Sequence, residues 1–191
     1  MILFSFEHEG GYPPVGFGLV LALVVATILC LPVARRLGVR GLTAWVLLAA
    51  TGSILAITLT PSWPALTTGV SGPISCDLSR LGPAPLGEYR RMDDAGLNVL
   101  MFIPLGVAIG AIGRRRTRVR LTAAALLLSP AVEATQAIVV PLGRACQGGD
   151  LFDNTLGLLL GLALGWGLGR LWRSMSPTPV GEASARGGDP G

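Results

Sequence analysis

The sequence predicts an all-α integral membrane protein: a five-transmembrane-helix bundle with its N-terminus outside and its C-terminus in the cytoplasm. Three observations predict it. Of 191 residues, 51% are hydrophobic and only 14% charged, with a mean hydropathy of +0.62. A soluble domain of that balance would expose far too much apolar surface. The apolar residues also arrive in blocks of about twenty, the length that crosses a hydrocarbon layer of ~30 Å. Finally, every basic residue is Arg, with no Lys, and most lie in clusters beside alternate block ends.

The first span is read as Pro14 to Ala34. Its leader, Met1 to Gly11, has no basic residue, and no small-x-small site follows the run, so a cleaved signal peptide is not expected. Leu42 to Thr60 forms the second span, Ala95 to Gly113 the third, Leu121 to Val140 the fourth and Leu151 to Trp172 the fifth. With the N-terminus outside, eleven Arg fall on the cytoplasmic side and four outside, while Glu7, Glu9, Asp77, Glu88, Asp93, Asp94 and Asp150 collect outside. The positive-inside rule selects that orientation, and anionic lipid is the default partner of such clusters. A net charge of +4 could suggest nucleic acid, but no aromatic platform or folded module supports that reading.

Three segments follow for domain organisation: a two-span part with its outer loop over 1–92, a three-span core over 93–173, and a tail over 174–191. The tail is rich in Pro, Gly and small polar residues and is expected to be disordered. The outer connection from Pro61 to Met92 holds five prolines and is expected to be irregular rather than helical. It carries Cys76, and the short connection Pro141 to Asp150 carries Cys146. A disulfide between them on the oxidising side would staple the long loop to the short one; two free thiols are the alternative.

Glu133 is the one charge in the twenty residues from Leu121 to Val140. A carboxylate within a span requires a partner, a proton or a function. It shares a helix face with Ser129 and Gln136; Asp94 and Asn98 are four apart on the third span, and Asp150 and Asn154 four apart on the fifth. At ~1.5 Å per residue, Glu133 lies roughly 10 Å below the outer boundary and the two asparagines roughly 6 Å below it. If these helices are neighbours, the polar faces form a pocket open to the outside with Arg144 at its lid. Gly157, Gly161 and Gly165 recur every four residues and would let another helix approach closely. Against a site stands the plainer reading of interhelical hydrogen bonds that only hold the bundle together.

The run Asp94-x3-Asn98-Val-Leu-Met-Phe102-Ile-Pro104-Leu-Gly106, then Glu133-x2-Gln136, then Arg144-x5-Asp150-x3-Asn154-Thr-Leu-Gly157 resembles the VanZ-like membrane family. The resemblance covers the last three spans; the first two carry no recognised motif. It departs from the family at Asp153, where an apolar residue is usual, and at Cys146, in a stretch that is often more acidic. The resemblance implies a multi-pass protein of the bacterial cytoplasmic membrane with a cell-envelope role linked to low-level resistance to the glycopeptide teicoplanin. It attaches no reaction and no cofactor to the chain.

Three functions compete on this reading. The first is a non-enzymatic binder of a lipid, a lipid-linked cell-wall intermediate or a glycopeptide. In it Asp94, Asn98, Glu133, Gln136, Arg144, Asp150 and Asn154 form the site, and Arg144 pairs with an anionic group. The second is an intramembrane enzyme using paired carboxylates. Against it, the single histidine, His8, lies outside the constellation, no HExxH or GxSxG motif is present, and Gln147-Gly148-Gly149-Asp150 is one residue short of the GxGD pattern. The third is a flippase subunit, for which five spans are few and no polar path crosses the inner half. No metal site is expected.

Overall fold

Apolar blocks bounded by Gly, Pro and Arg become helices because a chain in hydrocarbon must satisfy its backbone hydrogen bonds internally. The computed structural model describes residues 14–69 and 76–175. Its long helices are α1 (Pro14–Leu37), α2 (Gly41–Leu59), α5 (Asp94–Gly110), α6 (Arg115–Ile138) and α7 (Gly148–Met175). Two short helices, α3 (Trp63–Thr68) and α4 (Leu86–Arg91), stand in the long connection. The expectation of an irregular loop there is corrected. Ser62 caps α3 through its Oγ, which accepts from Ala65 N–H, and Met92, in the left-handed region at φ 55°, closes α4.

Among the described residues four helices, α1, α2, α6 and α7, are long and apolar enough to cross a membrane; α5 is apolar but has 17 residues. The protein is therefore a multi-pass membrane protein of the all-helical class. Large apolar side chains on α1, α6 and α7 face outward, among them Phe17, Ile28, Leu127, Leu164 and Leu168, as contact with lipid requires. The leader with Glu7, His8 and Glu9 lies outside the described residues. So does the tail from 176 onward, while α7 itself continues through Ser174 and Met175.

The core is built around α5. Leu47, Ala50 and Ile54 of α2 meet Phe102, Leu105, Ala108 and Ile109 of α5, closed by Ala125 of α6 and Leu158 of α7. The most extensive pairing joins α5 to α7, and glycines make it possible. A Cβ at Gly157, Gly161 or Gly165 would collide with the carbonyl oxygen of Val99, Ile103 or Val107 respectively, and Gly106 and Gly110 meet Leu158 and Leu162 in the same way. Backbones this close gain dispersion contacts that larger side chains would prevent.

The bundle has two distinct ends. At the arginine end the α1–α2 turn meets the α5–α6 turn, with Arg114 against Gly38, while Arg40 stacks 5.1 Å from the Trp172 ring centroid. At the loop end two-residue strands β1 (Cys76–Asp77) and β2 (Cys146–Gln147) pair in parallel, Cys76 opposite Cys146. A disulfide joins these two cysteines, with Cα atoms 4.6 Å apart. A second tie runs from Ser62 N–H to Leu142 O at 2.9 Å.

Candidate functional site

The polar residues predicted from helical spacing gather near the loop end, in three groups with different partners. The first group lies between α5, α6 and α7. Asn154 donates from Nδ2 to Ser129 Oγ at 2.9 Å, and Asn98 on α5 lies near the Asp150 carboxylate on α7. Glu133 Oε2 accepts the Gln147 N–H at 2.9 Å, which ties α6 to the strand leading into α7. The carboxylates of Glu133 and Asp150 are close enough to repel each other, as are those of Asp94 and Asp150. Ser129, Glu133 and Asn154 are all buried; Asp94, at the first turn of α5, is exposed. Asp150 Oδ1 and Asn154 Oδ1 are buried without a hydrogen-bond partner among the described residues.

The second group caps α2. The last carbonyls of a helix have no partner within it, and here they are met from three sides. Thr60 Oγ1 donates to Ala56 O, and Gln136 Nε2 donates to Thr58 O at 3.0 Å. Arg144 donates from Nη2 to Ile57 O at 2.9 Å and from Nε to Thr60 O at 3.3 Å. A cation at this position also opposes the negative end of the helix dipole. Burial pulls the Arg144 guanidinium down from its ordinary value, although a guanidinium stays charged in proteins. Arg144, read from the sequence as the lid of the pocket and the partner of an anionic group, is held by α2 carbonyls.

The third group was not foreseen as a unit. Asp153 is fully buried, yet Arg80 Nη2 donates to its Oδ2 at 2.8 Å and Tyr89 Oη to its Oδ1 at 2.6 Å. Tyr89 Oη in turn accepts the Ala84 N–H at 3.0 Å. Asp153 stood out only as a departure from the family pattern, whereas it anchors the long loop to α7. Its charge inside an apolar helix signalled that a cation was needed. Three arginines of the same loop, Arg80, Arg90 and Arg91, were equally eligible by sequence. Gly148 and Gly149 let the loop lie against the start of α7: a Cβ at Gly148 would stand 2.7 Å from Leu81 Cδ2.

Beside the first group a cleft of about 430 Å³ opens between α1, α2 and α5. Its walls are apolar and include Leu23, Trp45, Ala50, Leu97 and Met101, with Asn98 and Ser53 among them. The lining residues of α2 run from 45 to 57, a rise of about 18 Å. Asn98 therefore belongs both to the polar cluster and to the apolar cleft.

Comparison with known protein families identifies a relationship. A family model described as VanZ/LLP1 matches residues 17–170, from the first turn of α1 to near the end of α7. It thus takes in α1 and α2, where no motif was recognised. No curated protein and no solved structure matches the chain.

Proposed function

The chain belongs to the VanZ/LLP1 family, and from that premise we propose that it is a non-enzymatic binder of a lipid or wall-related ligand in the bacterial cytoplasmic membrane. In this reading α5 is also a span, which brings the number to five, since it pairs along its length with α7 and its 17 residues rise about 25 Å. The loop end, with its disulfide, faces the oxidising outside, and the arginine end faces the cytoplasm. Alkaline phosphatase fused to the C-terminus is then expected to be inactive and a fluorescent protein there bright; the opposite pair of results sinks the orientation.

A single observation carries the binding reading: Asn98 is shared by the polar cluster and the apolar cleft. That is the layout for an amphiphile, head among Asn98, Glu133, Asp150 and Asn154 with Asp94 at the mouth, tail in the cleft. Gln136 and Arg144 contribute by holding the end of α2, which forms the far wall. By family resemblance the ligand is a cell-wall lipid intermediate or similar envelope lipid, and its binding contributes to glycopeptide (teicoplanin) resistance.

The test is Asn98→Leu, which removes the amide that the polar cluster and the cleft share. Lipid retained through purification, measured by mass spectrometry, should fall several-fold, with the teicoplanin inhibitory concentration falling alongside. Equal retention and equal resistance in a well-expressed variant would refute the reading. Lipid intermediates that are chemically altered when the protein is present point to an enzyme instead, and a changed leaflet distribution points to a flippase subunit.

A further inference from the structure

Among the described residues two fully buried acceptor atoms on α7 have no hydrogen-bond partner. They are Asp150 Oδ1 and Asn154 Oδ1, one helical turn apart on one face. Asn154 is 3% exposed, and its donor is already engaged by Ser129. A buried acceptor without a donor has lost its water and gained nothing in return. Two of them side by side call for a ligand that brings donors.

Charge points the same way. Glu133 stands beside Asp150, and its Oε2 is bound by a backbone N–H rather than by a cation. Among the described residues no arginine makes an ion pair with either carboxylate. Arg80 bonds Asp153 and the Gly82 carbonyl and reaches Asp150 only through its field. Arg144 bonds the carbonyls of α2. A phosphate at this position would present only acceptors to a cluster of acceptors and negative charges.

Building on the amphiphile-binding reading, we infer that the polar end of the site takes a protonated primary amine; when that amine is a lipid headgroup, the acyl chains of the same molecule lie in the cleft beyond Asn98. An ammonium has three donors and no acceptor, so it satisfies both orphan oxygens and offsets the carboxylate charge. Such an amine reaches the site on a membrane aminophospholipid or as a small soluble amine. The chemistry is common to both sources.

The experiment exchanges the purified full chain into vesicles of equimolar phosphatidylethanolamine, phosphatidylcholine and phosphatidylglycerol, then re-isolates it and quantifies bound lipid. Phosphatidylethanolamine is expected to be enriched at least tenfold over both others. In D150N the enrichment should fall below threefold. E133Q is the second variant, because its amide oxygen still accepts the Gln147 N–H; it should lower the enrichment in the same sense. Ethanolamine added to lipid-depleted protein identifies the source: a raised melting temperature assigns a soluble amine, and enrichment of the phospholipid without that rise assigns the lipid. Bound lipid with no amine preference overturns the inference but leaves amphiphile binding intact, as does an unchanged preference in both variants. Stabilisation by Na⁺ or Ca²⁺ alone, without amine selectivity, overturns it too. If neither lipid nor ethanolamine binds at all, the binding reading itself fails.

Discussion

Asp153 shows how one buried charge can organise a loop. It is fully buried, and both of its oxygens are met by residues of the 80–89 segment. Asp153→Ala would leave the Tyr89 hydroxyl and the Arg80 guanidinium without their acceptor. Since Arg80 retains partial access to water, the expected loss is about 2 kcal/mol rather than the larger cost of a fully buried pair. Thermal unfolding in detergent measures it, with protease sensitivity of the 78–92 loop as a second readout. Burial first, then the hydrogen bond to Asp153, raises the Tyr89 hydroxyl above its ordinary value of 10.0. The folded state thus binds this proton more tightly than the unfolded state. The clamp is fully present below pH 10 and is lost as pH rises through the folded-state value. An ultraviolet difference titration of the wild type against Tyr89→Phe should place this phenol above the free one; a titration at or below the ordinary value would refute the clamp.

The α5–α7 pair is the element on which the site depends, because it sets Asn98 opposite Asp150. Its glycines admit backbone carbonyls of the facing helix. Gly161→Ala would drive a Cβ into Ile103 O and to 2.9 Å from the Gly106 Cα, where rigid backbone cannot yield cheaply. Overpacking of this kind costs about 1–3 kcal/mol. Gly167 breaks the four-residue spacing of Gly157, Gly161 and Gly165, and a Cβ there would have nothing within 4 Å. Gly167→Ala is therefore expected to be neutral or to stabilise the helix by up to about 1 kcal/mol. Unfolding midpoints of the two variants in the same detergent make the comparison, and equal midpoints would contradict the close-packed interface. The four-residue glycine spacing was legible in the sequence as a means of close approach. Its partner was not, since a glycine face is compatible with any helix that offers small residues or bare carbonyls.

At the scale of the molecule the loop end is a stapled cap on a helical bundle. The Cys76–Cys146 bond spans 70 residues, and closing a loop of that length removes unfolded-state entropy equivalent to about 4 kcal/mol. Cys76→Ser should lower stability by up to that amount. Reductant should lower the unfolding midpoint of the wild type and leave the Cys76→Ser/Cys146→Ser double variant unmoved; an equal response in both would refute the staple. The cap also brings Arg80 and Tyr89 to α7, and Arg144 to α2. All three polar groups thus depend on connections that lie far apart in the chain.

Composition, block length and the distribution of arginine determined by themselves that this is a helical membrane protein. Those features report transfer from water to hydrocarbon, which is a local property of each segment. Helical spacing likewise aligned Ser129 with Glu133 and Asp150 with Asn154. The choice of partner was decided only by the tertiary structure, since a hydrogen bond between helices depends on rotation and depth that no single segment specifies. That is why Arg144 went to the end of α2, why Asp153 became an anchor, and why Asp150 and Asn154 were left with open acceptors.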